Sequence, residues 1–260
     1  MTRGLRLFSI GVAFAGDIGE LPHRILGGAV AVYSSRFRYI FFANPQTASK
    51  AIAKTLTKSL DGQAMPDWDL RRSGELTIKK HHATWQDLQD AGLMTREQLD
   101  TLFKFTSVRN PYDLLVSRYL KRKSRFVNDP NKYRWAQENP KIKASMDAAQ
   151  EQPFPEWIAG QLHKHREKGS TIKGPLEYLD HADYVIRFEA LQEGFDEVLR
   201  RLGVRDPITI LAENVTSERA QGTKKRHYTE FYDDASRELV AQVYAPVIER
   251  FGYRFEVPAG

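Results

Sequence analysis

Three short stretches of this chain carry side chains whose types and spacing suit chemistry on an anion. The first, Pro45-Gln46-Thr47-Ala48-Ser49-Lys50-Ala51, follows Asn44 and gathers two hydroxyls and a lysine in a loop of small residues. If a helix starts there, its first amides lack intrahelical acceptors and the positive end of its dipole stands behind them. Such a start favours a bound phosphate or sulfate. An ordinary strand-to-helix turn has the same composition, and the glycines and Gly-Lys-Ser/Thr ending of a Walker loop are missing.

The second stretch is Ser107-Val108-Arg109-Asn110-Pro111-Tyr112-Asp113-Leu114-Leu115-Val116-Ser117-Arg118-Tyr119. The Arg109 guanidinium can fork two phosphate oxygens, and Ser117 can add a hydroxyl donor. The alternative is that Arg109 pairs with an acidic residue and Ser117 faces another helix. The third stretch is His81-His82-Ala83-Thr84. An imidazole titrates near pH ~6.5, so either histidine can take a proton from a hydroxyl nucleophile, or else cap the next helix or pack on Trp85. A basic run, Lys224-Lys225-Arg226-His227, is a further candidate for closing over an anion, with a solvated surface loop as its alternative.

These residues need strands that end and helices that begin beside them. Ile40-Phe41-Phe42-Ala43 is a continuous apolar run of the kind buried in a parallel sheet, ended by Asn44-Pro45. Ala48, Ile52, Leu56 and Leu60 then recur every fourth residue, predicting a helix closed near Asp61-Gly62 by a left-handed glycine cap. A short strand is expected over 29–33 and a polar loop over 63–80. Thr84 with Asp87, and Thr95 with Gln98, predict two capped helix starts. A second buried strand over 103–108 leads into a helix over 111–123, with Asn110 as cap and Pro111 as first residue. Weak periodicity over 124–175 predicts an insertion with one or two helices, one at 155–168. A third strand over 184–188, a helix over 193–202 and a last helix over 235–251, kinked at Pro246, complete the pattern. Strands alternating with helices give an α/β fold with a central parallel sheet.

The chain has 260 residues, 41% of them hydrophobic, enough for one α/β domain with a substantial core. Its formal net charge of +6 favours an anionic partner. It has no cysteine, which excludes disulfides, thiolate metal sites and a cysteine nucleophile. No metal is expected, because no His, Asp and Glu spacing suggests one. No apolar run reaches the ~18 residues that span a bilayer. Residues 7–15, behind Arg3 and Arg6, loosely imitate a secretory signal, but a cytoplasmic protein is the expectation. The basic residues are dispersed and show no nucleic-acid recognition motif, so no nucleic-acid partner is expected.

Taken in order, the motifs resemble the 3′-phosphoadenosine 5′-phosphosulfate (PAPS)-dependent sulfotransferases, most closely the group of Golgi carbohydrate sulfotransferases and their bacterial relatives. Pro45-Gln46-Thr47-Ala48-Ser49-Lys50 stands where that family has its 5′-phosphosulfate loop, Pro-Lys-Thr-small-Ser-Thr. Residues 109–119 match its 3′-phosphate motif, with Leu114 where Arg is common. Arg187-Phe188-Glu189-Ala190-Leu191 and Asn214-Val215-Thr216 match later family segments, as do Phe231-Tyr232 and Phe251-Gly252-Tyr253-Arg254-Phe255.

The resemblance implies a P-loop-like sulfotransferase domain over 30–257 with a variable acceptor-side insertion near 124–175, residues 1–29 standing apart. It implies PAPS as donor and 3′-phosphoadenosine 5′-phosphate as product. It implies that residues 45–51 hold the phosphosulfate, Arg109 and Ser117 the 3′-phosphate, and His82 the role of general base, with His81 in reserve. Lys224, Lys225 and Arg226 would close over the nucleotide. Phe126, Tyr133, Trp135 and Trp157 in a basic segment suit stacking on sugar rings and equally a protein–protein contact; a glycan or glycolipid hydroxyl is the expected acceptor. The family lysine is Gln46 here, and Lys50, one helical turn along, is the candidate substitute. The alternative is a nucleotide-binding sensor of the same fold whose chemistry went with that lysine.

Overall fold

The computed structural model describes residues 31–66, 70–72, 75–78, 83–211 and 226–256. It begins with strands β1 (Ala31–Ser34) and β2 (Tyr39–Phe42), then helix α1 (Ser49–Ser59) and strand β3 (Gln63–Met65). Strands β4 (Leu70–Arg72) and β5 (Glu75–Ile78) form a separate small antiparallel sheet in the stretch expected to be loop. Helices α2 (Trp85–Asp90) and α3 (Arg96–Asp100) lead to β6 (Phe103–Val108) and α4 (Pro111–Leu120).

The main sheet runs β3-β1-β2-β6 and ends with β7 (Tyr184–Arg187). Only β2, β6 and β7 are parallel; β1 lies antiparallel to β2, and β3 antiparallel to β1. The sheet is therefore mixed, because residues 35–38 form a turn too short for anything but a hairpin between β1 and β2. The α/β class holds. The parallel strands carry the expected apolar runs because both faces are covered. Tyr39, Phe41 and Ala43 pack on Ile52 and Leu56 of α1 and on Phe195 and Val198 of α10 (Leu191–Arg201). Ile40 and Phe42 pack on the other face against Leu88 and Leu99.

The local signals for helix starts are met by side-chain bonds. Thr84 and Asp87, and Thr95 and Gln98, form reciprocal capping boxes, and Asn110 Oδ1 accepts the Tyr112 amide with Pro111 at the first helical position. At the end of α1 the left-handed residue is Asp61 (φ 52°) rather than Gly62. Gly62 serves a different need: a Cβ there would lie 2.6 Å from Val32 Cγ1 and 2.8 Å from the Tyr39 hydroxyl.

The insertion is more helical than its weak periodicity suggests. A π turn (Lys121–Arg125) continues α4, followed by α5 (Phe126–Asn128), α6 (Arg134–Glu138), α7 (Pro140–Glu151) and α8 (Phe154–Lys168). Helix α9 (Gly174–Leu179) then leads into β7. Past α10, α11 (Asp234–Val243) and α12 (Ala245–Phe251) replace the single expected helix. The break falls at Tyr244, since Pro246 has no amide to carry the hydrogen-bond ladder. α4, α8 and α11 share a second core around Trp157, which is fully buried and donates its indole N–H to Ser145 O at 3.0 Å. Among the described residues no helix is long and apolar enough to cross a membrane.

The crowding at Gly62 makes it a steric keystone between α1 and the sheet. Gly62→Ala should lower unfolding stability by about 2 kcal/mol, read as a fall in denaturant midpoint at unchanged slope. An unchanged midpoint would show that the packing there yields easily.

Candidate functional site

Parallel pairing of β2 with β6 brings their carboxyl ends together, with Phe42 opposite Thr106. The loop leaving β2 is stitched to the end of β6 by buried bonds. Asn44 Nδ2 donates to Ser107 O at 2.9 Å, and Thr47 Oγ1 donates to Asn44 O at 2.7 Å. With the Thr47 proton spent on that carbonyl, the 2.6 Å contact between Thr47 Oγ1 and Ser107 Oγ has the serine as donor. Thr47 is thus buried and its hydroxyl serves the loop itself.

Within this frame Gln46 and Ala48 both take left-handed backbone conformations, with φ 66° and 65°. Alternating left-handed residues turn successive amides toward one side, the arrangement of an anion-binding nest. Ala48 is also the N-cap of α1, where no side chain caps the helix and the first turn has no acidic residue. Ala51 is the first amide of the helix with a backbone acceptor, Ala48 O. Ser49 and Ala51 are buried in that turn, Pro45 is half-buried, and Lys50 is exposed. A loop of this form presents backbone donors of the kind that suit an anion.

Arg109, at the end of β6, is 5% exposed and paired with Asp113, one turn into α4. Its Nε donates to Asp113 Oδ2 at 2.8 Å and its Nη2 lies 2.6 Å from the same oxygen. Nη1 reaches the Gln46 carbonyl at 3.4 Å, and the guanidinium stacks over Phe188 at 4.1 Å. The acidic-partner alternative for Arg109 is thus realised, and the same residue also braces the loop. Ser117 is buried two turns along α4.

Glu189 locks the start of α4: its Oε1 accepts the Asn110 amide at 2.7 Å and its Oε2 the Tyr253 hydroxyl at 3.2 Å. Burial, reinforced by that carboxylate, pushes the Tyr253 phenol well up, so it remains a donor. Arg226 is exposed and donates to the Glu230 carbonyl at 2.9 Å while lying over Phe231. His81, His82, Lys224, Lys225 and the Asn214 loop lie outside the described residues.

Two arginines to which the motif reading gave no role follow on α4 and its π turn. Arg118 donates from Nε to Gln46 Oε1 at 3.2 Å, so the guanidinium nearest the Gln46 side chain comes from α4. Arg122, one turn further, has its Nε and Nη1 buried without a hydrogen-bond partner among the described residues. The signal for them was a pair of like charges four apart on the helix that carries Ser117, an arrangement that weakens a helix for no local gain. Of the two clefts around His181, one is lined by Lys104, at the opposite end of β6 from the loop. Among the described residues no three His, Asp or Glu side chains converge as a metal site would require.

A family model described as "Sulfotransferase family" matches residues 39–254. Comparison with curated proteins and with solved structures gave no match.

The Arg109–Asp113 pair generates a stability prediction. Asp113→Ala removes the carboxylate on which Arg109 Nε and Nη2 converge and should cost about 3 kcal/mol, whereas Arg109→Met added to it should recover part of the loss. Thermal and denaturant unfolding of the two variants checks this; additive losses would mean the pair is not a coupled buried ion pair.

Proposed function

The chain belongs to the sulfotransferase family, and on that premise we propose that it moves a sulfuryl group from PAPS to a hydroxyl of a carbohydrate or glycolipid. The observation that carries the reading is the uncapped start of α1, with left-handed Gln46 and Ala48, at the ends of two parallel strands beside Arg109 and Arg118. These groups fit the donor's 5′ end, where several backbone amides and a positive dipole meet a dense negative charge. When bound, the donor supplies a sulfuryl group on a phosphate leaving group.

The chain's own residues then divide the work. The amides of residues 46–50, with Ser49 and Lys50, hold the 5′-phosphosulfate; Thr47 contributes by keeping the loop closed through Asn44 and Ser107. Arg109 and Ser117 hold the 3′-phosphate. Nη1 of Arg109 is the donor best placed to turn to a phosphate oxygen, since its contact with Gln46 O is the longest of the three while Nε and Nη2 stay on Asp113. Lys224, Lys225 and Arg226 lie over the nucleotide, and His82 takes the acceptor proton, with His81 as its substitute. Most of the catalysis is positioning and charge stabilisation, as in phosphoryl transfer.

For the acceptor, the insertion offers an exposed aromatic group. Trp135 is 55% exposed and its ring lies 5.5 Å from Phe126, which meets Tyr133 at 4.9 Å. Lys132 sits over Tyr133. An exposed indole with phenol and ammonium neighbours suits the apolar face of a sugar and its polar rim. Trp157 leaves the set of candidates, being buried in the second core.

The deciding experiment pairs calorimetric titration of 3′-phosphoadenosine 5′-phosphate with a transfer assay from PAPS to a panel of glycans and glycolipids. Binding with turnover is expected. Binding without turnover on any acceptor would favour the sensor, and no binding would remove the reading. Trp135→Ala should raise the acceptor KM about fivefold, since one aromatic stack contributes about 1 kcal/mol, with kcat nearly unchanged. An unaltered KM would place the acceptor elsewhere.

A further inference from the structure

The missing loop lysine leaves the cradle without a cationic side chain of its own at position 46, yet the charge around it is not missing. Gln46 Oε1 accepts from Arg118 Nε at 3.2 Å, a neutral acceptor for a full positive charge. Arg122 follows four residues later, in the π turn that continues α4, and the amide of Phe126 closes that turn on Lys121 O. Nε and Nη1 of Arg122 are buried with no hydrogen-bond partner among the described residues. Burial and, after it, the charge of Arg118 push this guanidinium down to about 10, with no carboxylate acting on it.

Several arginines elsewhere meet a carboxylate. Arg109 meets Asp113, Arg134 meets Glu138, Arg200 and Arg201 share Glu197, and Arg250 meets Asp180. Arg118 and Arg122, four apart on one continuous helical run, meet none among the described residues, and Arg118 lies against the loop. Like charges four apart repel, and a buried guanidinium without an acceptor is unfavourable by more than a hydrogen bond. Wide π turns gather at functional sites because they re-aim side chains at the expense of helix stability. An arrangement that costs stability three times over is completed by an anion seated between the two arginines.

We propose that Arg118 and Arg122 form an oxyanion-binding pair that supplies, to the sulfuryl end of the donor, the positive charge that Gln46 does not carry. The inference rests on the donor reading above and deepens it. Transfer breaks the sulfur–oxygen bond to the 5′-phosphate and forms one to the acceptor oxygen, whose proton leaves to a base. The electron pair of the broken bond stays on the phosphate oxygen, and Arg118, held in place by Gln46, neutralises that charge. Arg122 stands behind it, so that two guanidiniums share the anion. Lys50, exposed on the first turn of α1, is then not required for this role.

The test uses the full chain with inorganic sulfate as probe, followed by 3′-phosphoadenosine 5′-phosphate and the transfer assay. Arg122→Met should raise the thermal midpoint in sulfate-free buffer, because an uncompensated buried charge is replaced by an apolar group. It should also lose most of the midpoint rise that about 5 mM sulfate gives the wild type. A residue with a merely structural role would do the opposite on the first count and nothing on the second.

Arg118→Met should lower the transfer rate about a hundredfold, and Gln46→Lys in that background should recover at least tenfold of it. If Arg118→Met fails to fold, Arg118→Lys should retain sulfate stabilisation while losing about tenfold in rate. The pair is refuted if Arg122→Met is destabilised with its sulfate response intact, or if the lysine at position 46 rescues nothing. Absence of nucleotide binding by the wild type would instead strike the donor reading, and the sulfate measurements would still judge the pair.

Discussion

Parallel pairing of β2 with β6 is the constraint on which the site depends. The register that sets Phe42 opposite Thr106 also sets Asn44 beside Ser107, so that one side chain and one carbonyl join the two strand ends. A slip of one residue would turn Tyr39 and Phe41 to the face now filled by Ile40 and Phe42, and both faces are closed by helices. Register is therefore decided in the core, and the loop inherits it. The same pairing brings Arg109 within reach of the Gln46 carbonyl and lets α4 run past the loop with Arg118 on the near side.

The loop itself is not the conformation its residues prefer. Two non-glycine residues in the left-handed region are disfavoured by about 1 kcal/mol each. They persist because Thr47 is fastened between Asn44 and Ser107 and because Arg109 braces the carbonyl of Gln46. The strain has a use, since it is what turns the amides of a helix start toward a common point. Structure elsewhere offsets it: the layered sheet core, and the separate cluster around Trp157 that steadies the outer face of α4.

Charge is distributed by the same logic. Arg109 places Nε and Nη2 on Asp113 and stacks on Phe188, so its first service is to the architecture. Arg118 and Arg122 answer to no carboxylate among the described residues, and Arg118 stands where the loop lacks its lysine. A position that a motif assigns to one side chain can be served by another that reaches the same place from a different element. Gln46 keeps a part in this, because its carbonyl oxygen aims the arginine.

Much of this was legible in the residue pattern. The apolar run ending at Asn44, the strand ending at Arg109, the caps at Thr84, Thr95 and Asn110 and the order of the motifs identified an α/β sulfotransferase fold and the two segments that meet at its site. These are local signals: alternation, capping chemistry and punctuation act over a few residues and leave their trace in composition. The antiparallel β1 and β3, the use of Gly62 for space rather than for a turn, and the withdrawal of Trp157 into a core were decided by packing between segments far apart in the chain. So were the partners of Thr47 and Arg109, and the meeting of Gln46 with Arg118 across 72 positions. The sequence by itself determined which stretches could bind an anion, because hydroxyls, amides at a helix start and guanidiniums carry that chemistry wherever they lie. Only the tertiary structure decided which of them are spent on the fold and which are left for a ligand, because that depends on who is within 3 to 4 Å of whom.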